Sequence, residues 1–183
     1  MKSHDVVLLL KLLSLHKQEK ENDSRSFAAH YTVRSLADQT GISKSEVSNS
    51  LNRCTKIGLL KADRKTNFPR INSKNLTEFI IYGLKYVFPA EVKEIARGIP
   101  TSFAAPVLKD KIMSAGELIY VWPDAEGKNK GQAVLPLCKS VVRAITKDQL
   151  LYELLALVDA IRLGNPREVE VAVTELQKRM KVA

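Results

Sequence analysis

The sequence predicts a mainly α-helical fold carrying one small β-wing, and three stretches predict it. Residues 3–17 are apolar around almost the whole helical circumference. Residues 32–60 read as two helical stripes joined at a glycine, and residues 146–180 as two amphipathic helices joined at Gly164-Asn165-Pro166. Between these, residues 87–142 hold five of the seven prolines and four of the eight glycines, a density that interrupts helices repeatedly. The expected organisation is an N-terminal domain over residues 1–86 and a C-terminal domain over 87–183. The second domain divides into an irregular, loop-rich wrapping segment (87–142) and a helical hairpin (146–181).

The first helix is capped by Ser3 or Asp5 and is expected to run to about Lys17. Val6, Val7, Leu8, Leu9, Leu10, Leu12, Leu13 and Leu15 surround it, so it must be buried on more than one side. The charged and polar stretch Glu19–Ser26 suits a surface loop. In the next stretch Leu36 and Ala37 face inward, and the small Ala37 lets a second helix cross closely. Gly41 stands where the connecting turn needs a positive φ, which glycine adopts without strain. Ile42 plugs the turn into the core. Ser43 and Glu46 have the S-x-x-E spacing of a capping box, and Val47, Leu51 and Cys54 recur at i, i+4 and i+7 as an inward stripe. Lys44, Ser45, Ser48, Asn49, Asn52, Arg53 and Lys56 are left to face outward. A helix presenting short polar and basic side chains on one side can enter a DNA major groove, which points to a reader of sequence rather than a catalyst.

Gly58 ends that helix. Leu59, Leu60 and Ala62 then suit a short strand, Lys65 to Pro69 an exposed tip, and Arg70-Ile71 a returning strand. From Arg53 to Lys74 there are seven Lys or Arg against one acid, Asp63. Such a basic hairpin can neutralise phosphates beside a groove. The chain carries a formal charge of +9, and residues 1–80 hold 14 basic against 8 acidic side chains, so most of the excess lies in this half.

On Leu36-Ala37-Asp38-Gln39-Thr40-Gly41-Ile42-Ser43, Val47-Ser48, Leu51 and Gly58-Leu59-Leu60, residues 3–86 resemble the winged helix-turn-helix transcriptional regulators, most closely the MarR-like type. The resemblance implies that the helix from Ser43 is a recognition helix and the Arg64–Arg70 loop a wing. Lys44, Ser45, Ser48, Asn49 and Arg53 would then read base edges, and Ser43, Lys56, Arg64, Lys65 and Arg70 would hold phosphates. It further implies a homodimer on double-stranded DNA. The chain departs from that family in lacking a long dimerising helix before Met1 and in its longer, proline-richer C-terminal portion.

Asn72 or Ser73 caps a further helix to about Tyr86, with Leu76, Phe79, Ile80 and Leu84 inward. Leu118–Trp122 and Gln132–Leu135 have the composition of short paired strands around the loop Asp124–Gly131, with Trp122 in the core. Thr146-x-x-Gln149 has capping-box spacing ahead of the apolar helix LLYELLALVDAIRLG. Asn165 caps the last helix, with Pro166 at its first position. The first helix of this pair has more apolar surface than the second can cover, leaving the protomer or a symmetry mate to take the rest.

Enzyme chemistry finds no support. There is no G-x-G-x-x-G, Walker A, G-x-S-x-G or H-E-x-x-H pattern, and His4, His16 and His30 are too scattered for a metal site. Cys54 and Cys138 are too few for a disulfide framework, which fits a cytoplasmic protein, and Cys54 sits at a core position. No stretch approaches a membrane span, and no cofactor is expected. Two functions remain: a dimeric DNA-binding repressor, or an antitoxin-like protein-interaction module working through residues 87–142.

Overall fold

The computed structural model describes residues 1–21, 27–112 and 118–181. Its axis is helix α1 (Ser3–Glu21), on which Val6–Leu10, Leu12, Leu13 and Leu15 are all buried. Each such side chain contributes about 1.5–3 kcal/mol relative to leaving it in water. The helix runs past the expected end at Lys17, because Glu19 is a buried helical residue with its own partners. The rest of the expected loop, residues 22–26, lies outside the described residues.

A short 3-10 turn (Ala28–Tyr31) leads to α2 (Val33–Thr40), which Thr32 caps by accepting from the Ser35 N–H at 3.2 Å. Gly41 takes φ 69°, as the turn requires, and α3 (Lys44–Lys56) follows with Ser43 as its cap. Only half of the expected capping box forms. Ser43 accepts from the Glu46 N–H, but the Glu46 carboxylate turns away to Lys2, His4 and Arg53. Strands β1 (Leu60–Ala62) and β2 (Pro69–Ile71) pair antiparallel with Leu60 opposite Ile71, forming the expected hairpin. Its tip is folded around Asp63, whose carboxylate accepts from the backbone N–H of Lys65 and Thr66. Those bonds hold its pKa down at about 2. Asn72 caps α4 (Ser73–Glu78), which continues through a π-helical turn (Phe79–Gly83) into α5 (Leu84–Val87). Leu76, Ile80 and Leu84 are buried along it.

The segment expected to be irregular is instead built on a closed three-stranded β-barrel. β3 (Val92–Pro100) pairs antiparallel with both β4 (Tyr120–Pro123) and β5 (Asn129–Val134). The expected contact between the two shorter strands exists, but it is parallel, with Tyr120 opposite Gln132 and Val121 opposite Ala133. Between β3 and β4 lie a 3-10 turn (Ser102–Ala104) and α6 (Pro106–Lys109). Trp122 is a core residue, its indole N–H donating to the Asp159 carboxylate at 2.6 Å. Burial pushes that carboxyl up, and Arg162, Trp122 and Thr101 oppose the shift.

A short helix α7 (Val141–Ile145) precedes α8 (Gln149–Leu163) and α9 (Pro166–Met180). The cap of α8 is Asp148, not Thr146. Asp148 accepts from the Leu151 N–H, whereas the Thr146 hydroxyl bonds back to the Val142 and Arg143 carbonyls of α7. Asn165 and Glu168 form the full capping box of α9. Leu151 and every residue from Leu154 to Ile161 are buried, so the protomer itself covers the surplus apolar surface of α8. One contiguous core links Val6 on α1 to Met180 on α9 and crosses the expected boundary at residues 86/87 without a break.

Besides Glu19, three polar side chains of α1 are buried, and each ties it to another element. The Lys11 ammonium donates to the Asp148 carboxylate at 2.7 Å with both groups buried, and the Ser14 hydroxyl donates to the other oxygen at 2.7 Å. Asp5 accepts from Ser50 at 2.6 Å and from Arg53, both on α3.

Candidate nucleic-acid interface

On α3 the buried positions are Val47, Ser50 and Cys54, while Lys44, Ser45, Ser48, Asn49, Asn52 and Lys56 are exposed. This row holds no side-chain hydrogen bond or ion pair among the described residues, and no described part of the proline-rich segment covers it. Ser43 is exposed as well, with its hydroxyl engaged in capping.

Arg53 is corrected: it is not part of the open row. Its guanidinium forks onto Asp5 at 3.1 and 2.7 Å and reaches Glu46 at 2.7 Å, directed at the N-terminus of α1. The reason is the Asp5 carboxylate, which is fully buried and needs a countercharge. Burial alone would raise its pKa, but hydrogen bonds from Arg53, Ser50 and the Lys2 N–H hold it below the ordinary value.

Arg70 is also corrected. It pairs with Glu19 across the base of the hairpin and donates to the Tyr31 hydroxyl, its side chain only 13% exposed. The guanidinium lies 5.4 Å from the Tyr31 ring centre and 5.8 Å from that of Phe68, which stacks on Tyr31. It fixes the hairpin to α1 and is not available to a phosphate. Arg64 and Lys65 at the tip remain exposed and unpaired among the described residues, and with Lys61 they rim a shallow concavity.

A cation absent from the expected set stands beside the α2–α3 turn. The Arg143 stem and Ser140, at the start of α7, press on Gly41: a Cβ there would sit 3.3 Å from Arg143 Cδ and 3.0 Å from Ser140 Cβ. Arg143 is exposed and makes no ion pair among the described residues. Its distance along the chain from the turn is why no local pattern announces it.

No family model matches this chain, and neither does any curated protein or solved structure.

Among the described residues no group of His, Cys, Asp and Glu could hold a metal ion, and no helix is long and apolar enough to cross a membrane. Cys54 lies on the buried face of α3, and burial pushes its thiol up to about 11, so it is a packing residue with little thiolate.

The clasp between α1 and α3 has a pH signature. Hydrogen bonds from Arg53 and Lys2 hold the Glu46 carboxyl down from its ordinary 4.5 to about 2. A depressed folded-state pKa stabilises above the ordinary value, and that stability is lost as pH falls from about 4.5 to about 2. Melting curves across this window are expected to show a smaller drop in Tm for Glu46→Gln than for the unaltered protein. An equal drop in both would mean that the clasp does not form in solution.

Proposed function

We propose that α2, α3 and the β1–β2 hairpin form a winged helix-turn-helix reader of double-stranded DNA, and that the chain is a transcriptional repressor working as a homodimer in the cytoplasm. The observation that carries the reading is the uncovered row Lys44, Ser45, Ser48, Asn49 on a capped helix whose other side is welded to the core. Short polar side chains there suit base edges in the major groove. Arg64 and Lys65 on the hairpin and Lys56 and Arg143 at the flanks suit phosphates, which position the reader without carrying sequence information. Two copies with readers about 34 Å apart would match a two-fold operator one helical turn in spacing.

Selection of bound duplexes from a random pool, followed by titration of the selected and scrambled sequences, tests this. Lys44→Ala with Asn49→Ala is expected to lower the preference for the selected sequence by roughly 5–150-fold for each base edge no longer read, corresponding to about 1–3 kcal/mol each. Arg64→Ala with Lys65→Ala is expected to weaken all duplexes alike and to lower the salt slope by about 1.8. Equal losses on every sequence from the first pair would refute base reading.

A second reading, an antitoxin-like module that binds a protein partner, draws on a different feature. It would work through residues 87–142, where Val87, Val92, Ile95, Leu118 and Leu135 are exposed. Affinity capture with the full chain, comparing the unaltered protein with Val92→Ser and Leu135→Ser, separates the two: only a protein partner would be lost from these variants while duplex binding persists.

A further inference from the structure

The β-barrel carries a second cationic face, far from α3 in sequence and built by different strands. Arg97 on β3 stands directly opposite Lys130 on β5 in the antiparallel register. Directly opposed residues project from the same side with Cβ atoms about 5 Å apart, and like charges so placed destabilise the pair. Among the described residues Arg97, Lys128 and Lys130 make no ion pair, and all three are exposed. All three line one open depression of about 630 Å³ together with Ile95 and Asn129, and Glu126 is its only acid.

The depression is built into the backbone. The loop after β4 folds back on β3, with the Asp124 N–H donating to the Arg97 carbonyl at 3.0 Å. Gly127 lies against Gly98 so closely that a Cβ on Gly127 would fall 2.4 Å from the Gly98 Cα. Two glycines are therefore needed for the loop to close, and closing it sets Lys128 and Lys130 beside Arg97.

We propose that this depression binds the phosphate backbone of a nucleic acid, independently of base sequence. Two features choose among polyanions. The three cations converge from a strand pair and a loop on one open depression, whose lining offers Ile95 as its one large apolar side chain to anchor a peptide. The lining contains no aromatic side chain on which a base could stack, which leaves charge as the attraction. The uncompensated Arg97–Lys130 opposition is then the feature that a bound phosphate neutralises. The proposal rests on the chain being a nucleic-acid binder, but not on α3 reading bases.

Fluorescence anisotropy of a random-sequence duplex across a salt series tests it with the full chain. Arg97→Gln/Lys128→Gln/Lys130→Gln is expected to lower the slope of log affinity against log salt by about 2–3, at roughly 0.9 for each phosphate that the face no longer neutralises. Its Tm should stay level or rise, because the like-charge opposition is removed, so weakened binding cannot be attributed to unfolding. An unchanged slope overturns the proposal while leaving the α3 reading standing. A lowered slope, in a protein whose Lys44→Ala/Asn49→Ala form keeps its sequence preference, supports this face and removes the base-reading role of α3. Polyglutamate that binds as tightly as duplex and depends on the same three residues would overturn it in favour of an acidic protein partner. Failure of the unaltered chain to bind any duplex overturns both.

Discussion

Replacing Asp148 with alanine is expected to destabilise the protein by about 3–5 kcal/mol, the cost of removing one member of a buried ion pair. One carboxylate has three tasks: it neutralises Lys11, accepts from the Ser14 hydroxyl, and caps α8 through the Leu151 N–H at 2.9 Å. Alanine leaves the Lys11 ammonium buried without a partner, which is the largest part of the loss. Asp148→Asn keeps the cap and the Ser14 bond and should cost less. Lys11→Met combined with Asp148→Asn should recover much of the single-variant loss, because no unpaired charge is then buried. Urea denaturation of the unaltered protein, these three variants and Lys11→Met alone measures the losses and closes the cycle between Lys11 and Asp148. A loss below about 1 kcal/mol for Asp148→Ala would show that Lys11 reaches water in solution and that the pair does not tie α1 to α8.

The second large effect is expected at Arg53, and it separates two roles. If Arg53 balances Asp5, Arg53→Ala should cost toward the lower end of about 3–5 kcal/mol, since Ser50 and the Lys2 N–H still bond the carboxylate. Arg53→Lys should rescue little, because one ammonium cannot reproduce the fork of Nε and Nη2 on Asp5. At temperatures where the variant remains folded, its preference among DNA sequences should not change. Unaltered stability with an altered sequence preference would return Arg53 to the reading face.

What the sequence made legible was what local periodicity and turn chemistry control. The apolar circumference of α1, the positive-φ Gly41, the Ser43 cap, the hairpin after Gly58 and the Asn165 cap all follow from residues within a few positions of one another. The partners of Arg53 and Arg70 did not, because Asp5 lies 48 residues away and Glu19 lies 51. An outward-looking arginine on a helical wheel carries no mark of a buried carboxylate on another helix. β3 was hidden for a different reason. Val92 to Ile95 are all exposed, so the strand lacks the in-out alternation that reveals a half-buried one. Its pairing is enforced by barrel closure with strands that lie well beyond it in the chain. Asp148 was masked by Thr146, whose spacing to Gln149 mimics a cap although α7 claims its hydroxyl.

Helix α1 holds α3 at Asp5, α8 at Lys11 and Ser14, and the hairpin at Glu19. At 1.5 Å per residue these anchor points span about 21 Å of one unbroken rod. Lys11 and Ser14 lie between the other two anchors, so a tilt imposed on that rod through α8 carries α3 and the hairpin with it. Their separation is thus set by a single strut, and widening it requires breaking the Arg53–Asp5 or the Arg70–Glu19 ion pair.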